Sequence, residues 1–197
     1  LSTNIGAILT VLIAPFLGLP LPFTPIQLLW VNIIMDGPPA MALGVDPAQP
    51  DTMSHQPRKT SDRILKLRLL GKLISYGTIM MIGTGGVLWW GMLNGSAIYA
   101  QSLAFTTFVL FQVFNAFNAR VNKGSTFNVN FFRNRTLWFA LIGVVVLQVL
   151  AIQWTPAQEI FDVEALAPAD WALATLIASS VLLLEEFRKL IRRMIWS

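Results

Sequence analysis

Apolar residues do not alternate with polar ones along this chain. They run together in six long blocks, at about 2–17, 26–43, 69–93, 101–119, 136–154 and 171–187, separated by shorter polar connections. A helix crossing a bilayer needs roughly 17–25 mostly apolar residues, so the pattern predicts six transmembrane helices and an all-α, polytopic bundle. The first block is the shortest, and because the chain opens on Leu1, not Met, an internal cut in a longer protein is expected there. Trp89, Trp90, Trp138, Trp154 and Trp171 fall near the ends of the blocks, where amphipathic rings favour the headgroup level.

Charge sharpens this picture. All fourteen Lys and Arg residues lie in or beside the second connection, in the fourth, or after the last block. The first and third connections are uncharged, and the fifth holds Glu159, Asp162, Glu164 and Asp170 without a base. By the positive-inside rule the 45–68 loop, the 188–197 tail and whatever precedes the first block are expected in the cytoplasm. The 61–72 segment interleaves bases with leucines, either as an interfacial lead-in to the third span or simply as a helix end marked by headgroup-level bases.

Composition agrees. Of 197 residues, 55% are hydrophobic and 12% are charged, about half the ~25% of an ordinary soluble domain. Mean hydropathy is +0.62. These numbers exclude a typical soluble enzyme and a disordered chain. The net charge of +4 is distributed at membrane boundaries, so no nucleic-acid partner is expected. Cysteine is absent, which removes disulfides and thiolate sites, and His55 stands alone in a polar loop and reads as a surface residue.

One acid breaks the pattern. Asp36 sits well inside the second apolar block, where a carboxylate costs several kcal/mol unless it is paired, hydrated or bound to a cation. Asn32, four residues earlier, shares its helical face. Gly37, Pro38 and Pro39 follow at once, predicting a break or kink just after Asp36 that frees backbone carbonyls. A discontinuous span near the midplane is how many transporters build an ion site. A protonated Asp36 capping the broken helix is the structural alternative.

Other polar residues in the blocks converge less sharply. Gln112, Asn115 and Asn118 form a stripe along the fourth block, and Asn4 lies at the start of the first. Asn115 and Asn118 are expected to bond neighbouring helices, whereas Gln112 and Asn4 could do that or offer oxygens to a cation. Gln148 is expected to find a partner on another helix. Ser75, Thr78, Thr84 and the glycines Gly83, Gly85, Gly86 and Gly143 read as close helix packing.

The run Pro25, Ile26, Gln27, Leu28, Leu29, Trp30, Val31, Asn32, followed by Asp36, Gly37 and then Ala42, Leu43, Gly44, closely resembles the sixth membrane helix of P-type cation-transporting ATPases of the calcium-pump group. Ser2 to Gly6 is similar to part of the fifth helix of that family, Asn115 to Asn118 to the eighth, and Leu184 to Lys189 to the end of the tenth. The resemblance covers essentially the whole chain and implies helices five to ten of a ten-helix transport domain. It implies that Asn4, Asn32 and Asp36 supply oxygens to a transported Ca²⁺ or Mn²⁺, with Gln112 a possible contributor. Ala7, Met35 and Gln112 stand where two-site pumps have a glutamate, a threonine and a glutamate, so one ion per cycle is expected. The form of 32–40 looks most like secretory-pathway calcium and manganese pumps and their bacterial relatives, which implies a multi-pass protein of a bacterial plasma membrane.

The family's phosphorylation motif, Asp-Lys-Thr-Gly-Thr, is not in these residues, nor are nucleotide-binding or actuator segments. ATP and Mg²⁺ would therefore act through upstream domains of the same pump, and this segment alone is not expected to hydrolyse ATP. Two other readings stay open: a non-catalytic helix bundle or relic of a truncated pump, and a proton or monovalent-cation pump of the same superfamily.

Overall fold

The computed structural model describes residues 1–45, 67–120 and 134–195. Most of the 45–68 loop, with His55, and part of the fourth connection lie outside the described residues. All regular structure in the described residues is helical: α1 (Ser2–Phe16), α2 (Pro25–Trp30), a π-helical turn (Val31–Met35), α3 (Gly37–Gly44), α4 (Leu67–Asn94), α5 (Ala97–Arg120), α6 (Arg135–Gln153), α7 (Thr155–Phe161) and α8 (Pro168–Ile195). Within α4, α5, α6 and α8, the stretches Leu69–Asn94, Ala97–Arg120, Arg135–Gln153 and Pro168–Ile191 are each long and apolar enough to cross a membrane. α1 is a shorter apolar helix, and the second block is divided among α2, the π turn and α3.

Local chemistry explains where the helices stop. Gly18, at φ 71°, ends α1: its N–H donates to Pro15 and that of Leu19 to Ala14, while Leu19 packs beside Ala14. This is the Schellman arrangement, for which a left-handed residue is required. At the head of α2, the Thr24 hydroxyl accepts from the Gln27 N–H and the Gln27 amide oxygen accepts from the Thr24 N–H, a complete capping box. Asp170 performs the second half of that task at α8, accepting from the Ala167 N–H at 2.8 Å.

Four helices form the body: α5 packs against α4 and α8, and α4 against α1 and α8. α5 is its axis, with Phe105, Phe108 and Phe111 fully buried. α1 meets α4 where a Cβ on Gly77 would lie 2.7 Å from Ile5 Cγ2 and 3.0 Å from the Gly6 nitrogen, so the close approach depends on glycine. Gly83 is equally tight against Phe111. Gly85, Gly86 and Gly143 depart from the close packing expected of them: a Cβ there would meet nothing within 4 Å. They lie on helix faces with no neighbour, a distinction that composition alone does not carry.

The ends of the helices also sort. Lys72 of α4 lies 3.2 Å from Glu185 of α8, and Phe117 of α5 packs on Trp138 of α6 with ring centroids 5.3 Å apart. The start of α4, the end of α5, the start of α6 and the end of α8 therefore share one end of the bundle, together with Lys72, Arg120, Arg135, Arg188 and Lys189. At the other end, the connection containing α7 folds back over the bundle. Phe161 packs on Trp30 and Phe105, the Ser96 hydroxyl donates to Glu164, and Tyr99 OH donates to Asp170 at 2.7 Å.

Candidate ion site

The second span is interrupted at Asp36, between the end of one helical run at Met35 and the start of the next at Gly37. The departure from α-helical bonding is spread over 31–36 and begins before the acid. The Asp36 N–H reaches back five residues to the Val31 carbonyl at 3.1 Å, the signature of a π turn, and a new helix starts at Gly37. Pro38 and Pro39 occupy the first turn of that helix, where an N–H would have no intrahelical partner. The two prolines thus restart the helix as much as they break it. They also withhold the donors that would otherwise bond the carbonyls of Ile34 and Met35, four residues back.

Side chains of the neighbouring helices hold this weakened segment at three heights. The Gln27 amide donates to the Phe161 carbonyl at 2.9 Å. The Trp30 indole donates to Gln148 Oε1 at 3.2 Å, and Gln148 in turn donates to Thr106. Asn134 caps the start of α6 by accepting from the Leu137 N–H, and its amide group donates to the Ala42 carbonyl at 2.9 Å. Asp36 is six residues from both Trp30 and Ala42, hence ~9 Å from each anchor along the axis at 1.5 Å per residue. The anchor at the acidic end, Gln27, is nine residues away, ~14 Å, so Asp36 lies well inside the span, somewhat nearer the basic end.

The opposite side of the segment is open. Asn32 is exposed and Asp36 half-buried. The Asn32 amide donates back to the Leu28 carbonyl at 2.9 Å, which leaves its oxygen, one turn from Asp36, turned to other partners. Among the described residues no hydrogen bond or ion pair to the Asp36 carboxylate is found, and no three His, Cys, Asp or Glu side chains gather as a metal cluster. Ligand capacity here rests on one carboxylate with amide and main-chain oxygens, the hard donors that suit calcium or manganese.

Gln112 belongs to the contact between α1 and α5, next to which Asn4 lies in sequence. The Thr3 hydroxyl donates to Gln112 Oε1 at 2.5 Å, and the Asn115 amide donates to Ser2 Oγ at 2.9 Å. Asn4 itself is exposed. Gln112 is eight residues from Arg120, so this contact lies ~12 Å from the basic end of α5, a depth close to that of Asp36. Asn4 and Asp36 thus lie at a similar depth, with Asn32 one turn, ~6 Å, from Asp36 along the axis. Gln112 is buried behind Thr3, with its oxygen engaged. Asn118 donates to the Val181 carbonyl at 3.1 Å and fastens α5 to α8. Ser75 and Thr78 bond the carbonyls four residues back in their own helix.

Sequence reading missed several supports. Asn134, directly before an apolar run, carries the helix-start signal of an N-cap. Ser2 and Thr3, the hydroxyl partners of the α5 amides, carry none. Nor does the buried network at the basic end, where Glu185, with no side-chain exposure, takes a forked contact from Arg188 at 2.7 Å and one from Lys72 at 3.2 Å. Lys72 also lies 5.4 Å from the Tyr76 ring centroid.

An apolar helical bundle with a discontinuous, acid-bearing span at mid-depth defines a polytopic membrane domain of the transporter kind. Residues 20–191 match the family described as cation transporting ATPase, C-terminus, and the chain belongs to that family. It is 38% identical over 192 residues to calcium-transporting ATPase type 2C member 2 of Rattus norvegicus, covering 96% of this chain and 20% of that protein. It is 37% identical over 191 residues to calcium-transporting ATPase 1 of Yarrowia lipolytica, with the same coverage. Against human calcium-transporting ATPase type 2C member 1 it is 35% identical over 195 residues, 98% of this chain and 21% of the relative. The chain spans about one fifth of the length of these relatives. The resemblance to calcium pumps expected from residues 25–44 is matched by all three.

Proposed function

We propose that this chain carries part of the cation site of an ATP-driven calcium pump, and that Asp36, Asn32 and Asn4 are its ligands here. The observation that carries the reading is Asp36: a carboxylate at mid-depth, in a span whose helical bonding is interrupted beside it. A cation explains the acid, the outward amide of Asn32 and the carbonyls freed by Pro38 and Pro39 with one partner. A bare carboxylate in hydrocarbon has no comparable compensation. The transported ion is Ca²⁺, with Mn²⁺ admitted by the same oxygen set, and a single carboxylate supports one ion per cycle. Calcium takes six to eight oxygens, so further ligands come from other parts of the protein.

In such a pump the upstream domains form an aspartyl phosphate from ATP with Mg²⁺, and the site opens alternately to the two sides. The span from Gln27 to Ala42 is suited to respond, since it is tied to α6 and to the end of α7 but broken in between. The basic end faces the cytoplasm, a reading supported by the positive-inside rule; that the membrane is a bacterial plasma membrane rests on the pattern at 32–40. The test is phosphorylation of the intact protein by ATP. Phosphoenzyme that requires micromolar to millimolar Ca²⁺ or Mn²⁺ is expected. Phosphoenzyme formed equally with neither ion would point to a proton or monovalent-cation pump, and none under any condition to a non-catalytic bundle.

A further inference from the structure

One cavity lies away from the ion site. Between α5, α6 and α8 is a space of about 420 Å³ walled by Phe117, Trp138, Leu141, Val145 and Leu182. Its origin is the placement of α6, which packs against α3, α5 and α7 but scarcely touches α8. The cleft opens past Ile142 and Val146, both exposed on the outer face of α6. That face is continuous with the other exposed apolar side chains of α6, Phe139, Leu147, Val149 and Leu150, the surface that hydrocarbon covers in a bilayer. Apolar walls offer water no hydrogen bonds, so water is a poor filling for this space.

The cleft also has a direction. Phe117 and Trp138 are each three residues from an arginine, Arg120 and Arg135, hence ~4–5 Å from it along the helix, whereas Val146 is ~16 Å from Arg135. Half of a ~30 Å hydrocarbon core is ~15 Å. The space therefore runs from the headgroup level almost to the midplane, the reach of one leaflet's chain, and the exposed Arg135 lies three residues beyond Trp138 at the headgroup-level end. Charge and depth together select an amphiphile with an anionic head and a long tail. We propose that this cleft binds one acyl chain of an anionic phospholipid from the leaflet at the basic end, with its phosphate against Arg135. The inference rests on the membrane setting alone and is independent of the ion site.

Native mass spectrometry of the intact protein, delipidated and then supplied with dioleoyl phosphatidylglycerol or dioleoyl phosphatidylcholine, tests it. One tightly retained phosphatidylglycerol per chain is expected. Val145→Trp, which fills the cleft, should lower that retention by about tenfold or more, since even two buried methylenes carry that much affinity. Arg135→Gln should keep a lipid but reduce the preference for the anionic head by about fivefold. A second readout needs no cleft-filling variant: phosphatidylglycerol brominated along its chain should quench a component of tryptophan fluorescence that Trp138→Phe removes. Retention unchanged in Val145→Trp, quenching unchanged in Trp138→Phe, or equal retention of the two lipids by the unsubstituted protein overturns the proposal.

Discussion

The four-helix body and the broken second span treat buried polarity in opposite ways. In the body, polar side chains are used between helices: Thr3 on Gln112, Asn115 on Ser2, Asn118 on the Val181 carbonyl, and Lys72 on Glu185. In the span from Gln27 to Ala42 the anchors are equally specific, but they sit toward its two ends. Between them Asn32 is exposed, bonded only to its own helix, and Asp36 is half-buried with no side-chain partner among the described residues. Polarity that joins helices makes a rigid frame. Polarity left unjoined inside the same frame costs free energy, and that cost is tolerated where a ligand offsets it.

The contrast can be broken experimentally, beginning with the largest effect. Glu185→Gln removes the only anion found facing Lys72 and Arg188 among the described residues, and truncating the buried partner of such a network costs about 3–5 kcal/mol. A thermal unfolding series on the intact protein in detergent should show it as the most destabilised variant of the set, with cation affinity nearly unchanged in whatever fraction folds. Asp36→Asn should behave in the reverse manner. Loss of groups that merely orient a metal ligand weakens affinity 10–100-fold, so loss of this carboxylate should raise the Ca²⁺ needed for half-maximal phosphorylation by at least about 100-fold, with the unfolding midpoint kept or raised.

Smaller effects sharpen the boundary between the regions. Gly77→Ala places a methyl against Ile5 and the Gly6 backbone and should cost about 1–3 kcal/mol by overpacking, read in the same unfolding series. Because α1 also carries Asn4, a modest loss of cation affinity should accompany it. Asn118→Ala deletes the bond to Val181 and leaves that carbonyl without it, about 1–2 kcal/mol, with cation dependence unaltered. An Asn118 variant that changed cation dependence as much as an Asp36 variant would dissolve the distinction between frame and site.

Much of the frame was legible before any coordinates. Long apolar blocks demand helices in a bilayer, and an acid followed by Gly and two prolines cannot sit in an undisturbed one. The interhelical roles of Asn115, Asn118 and Gln148 followed from the cost of an unpaired amide in hydrocarbon. Less legible was how the second span breaks: a shift from four- to five-residue hydrogen bonding at 31–36 leaves no compositional mark, and Pro38 and Pro39 fit equally well at the end of one helix or the beginning of the next. The short helix α7 and the Lys72–Glu185–Arg188 network were also hidden, since each depends on parts of the chain that meet only after folding. Gly85, Gly86 and Gly143 show the same limit from the other side, as a glycine has no way of announcing whether a neighbour stands opposite it.

Equilibrium binding of radioactive Ca²⁺ to the intact protein, with the unsubstituted chain, Asp36→Asn and Asn118→Ala measured side by side, goes most directly to the central claim. One Ca²⁺ per chain in the unsubstituted protein and in Asn118→Ala, and none at the same free Ca²⁺ in Asp36→Asn, is the predicted result. Undiminished binding in a folded Asp36→Asn protein would contradict it.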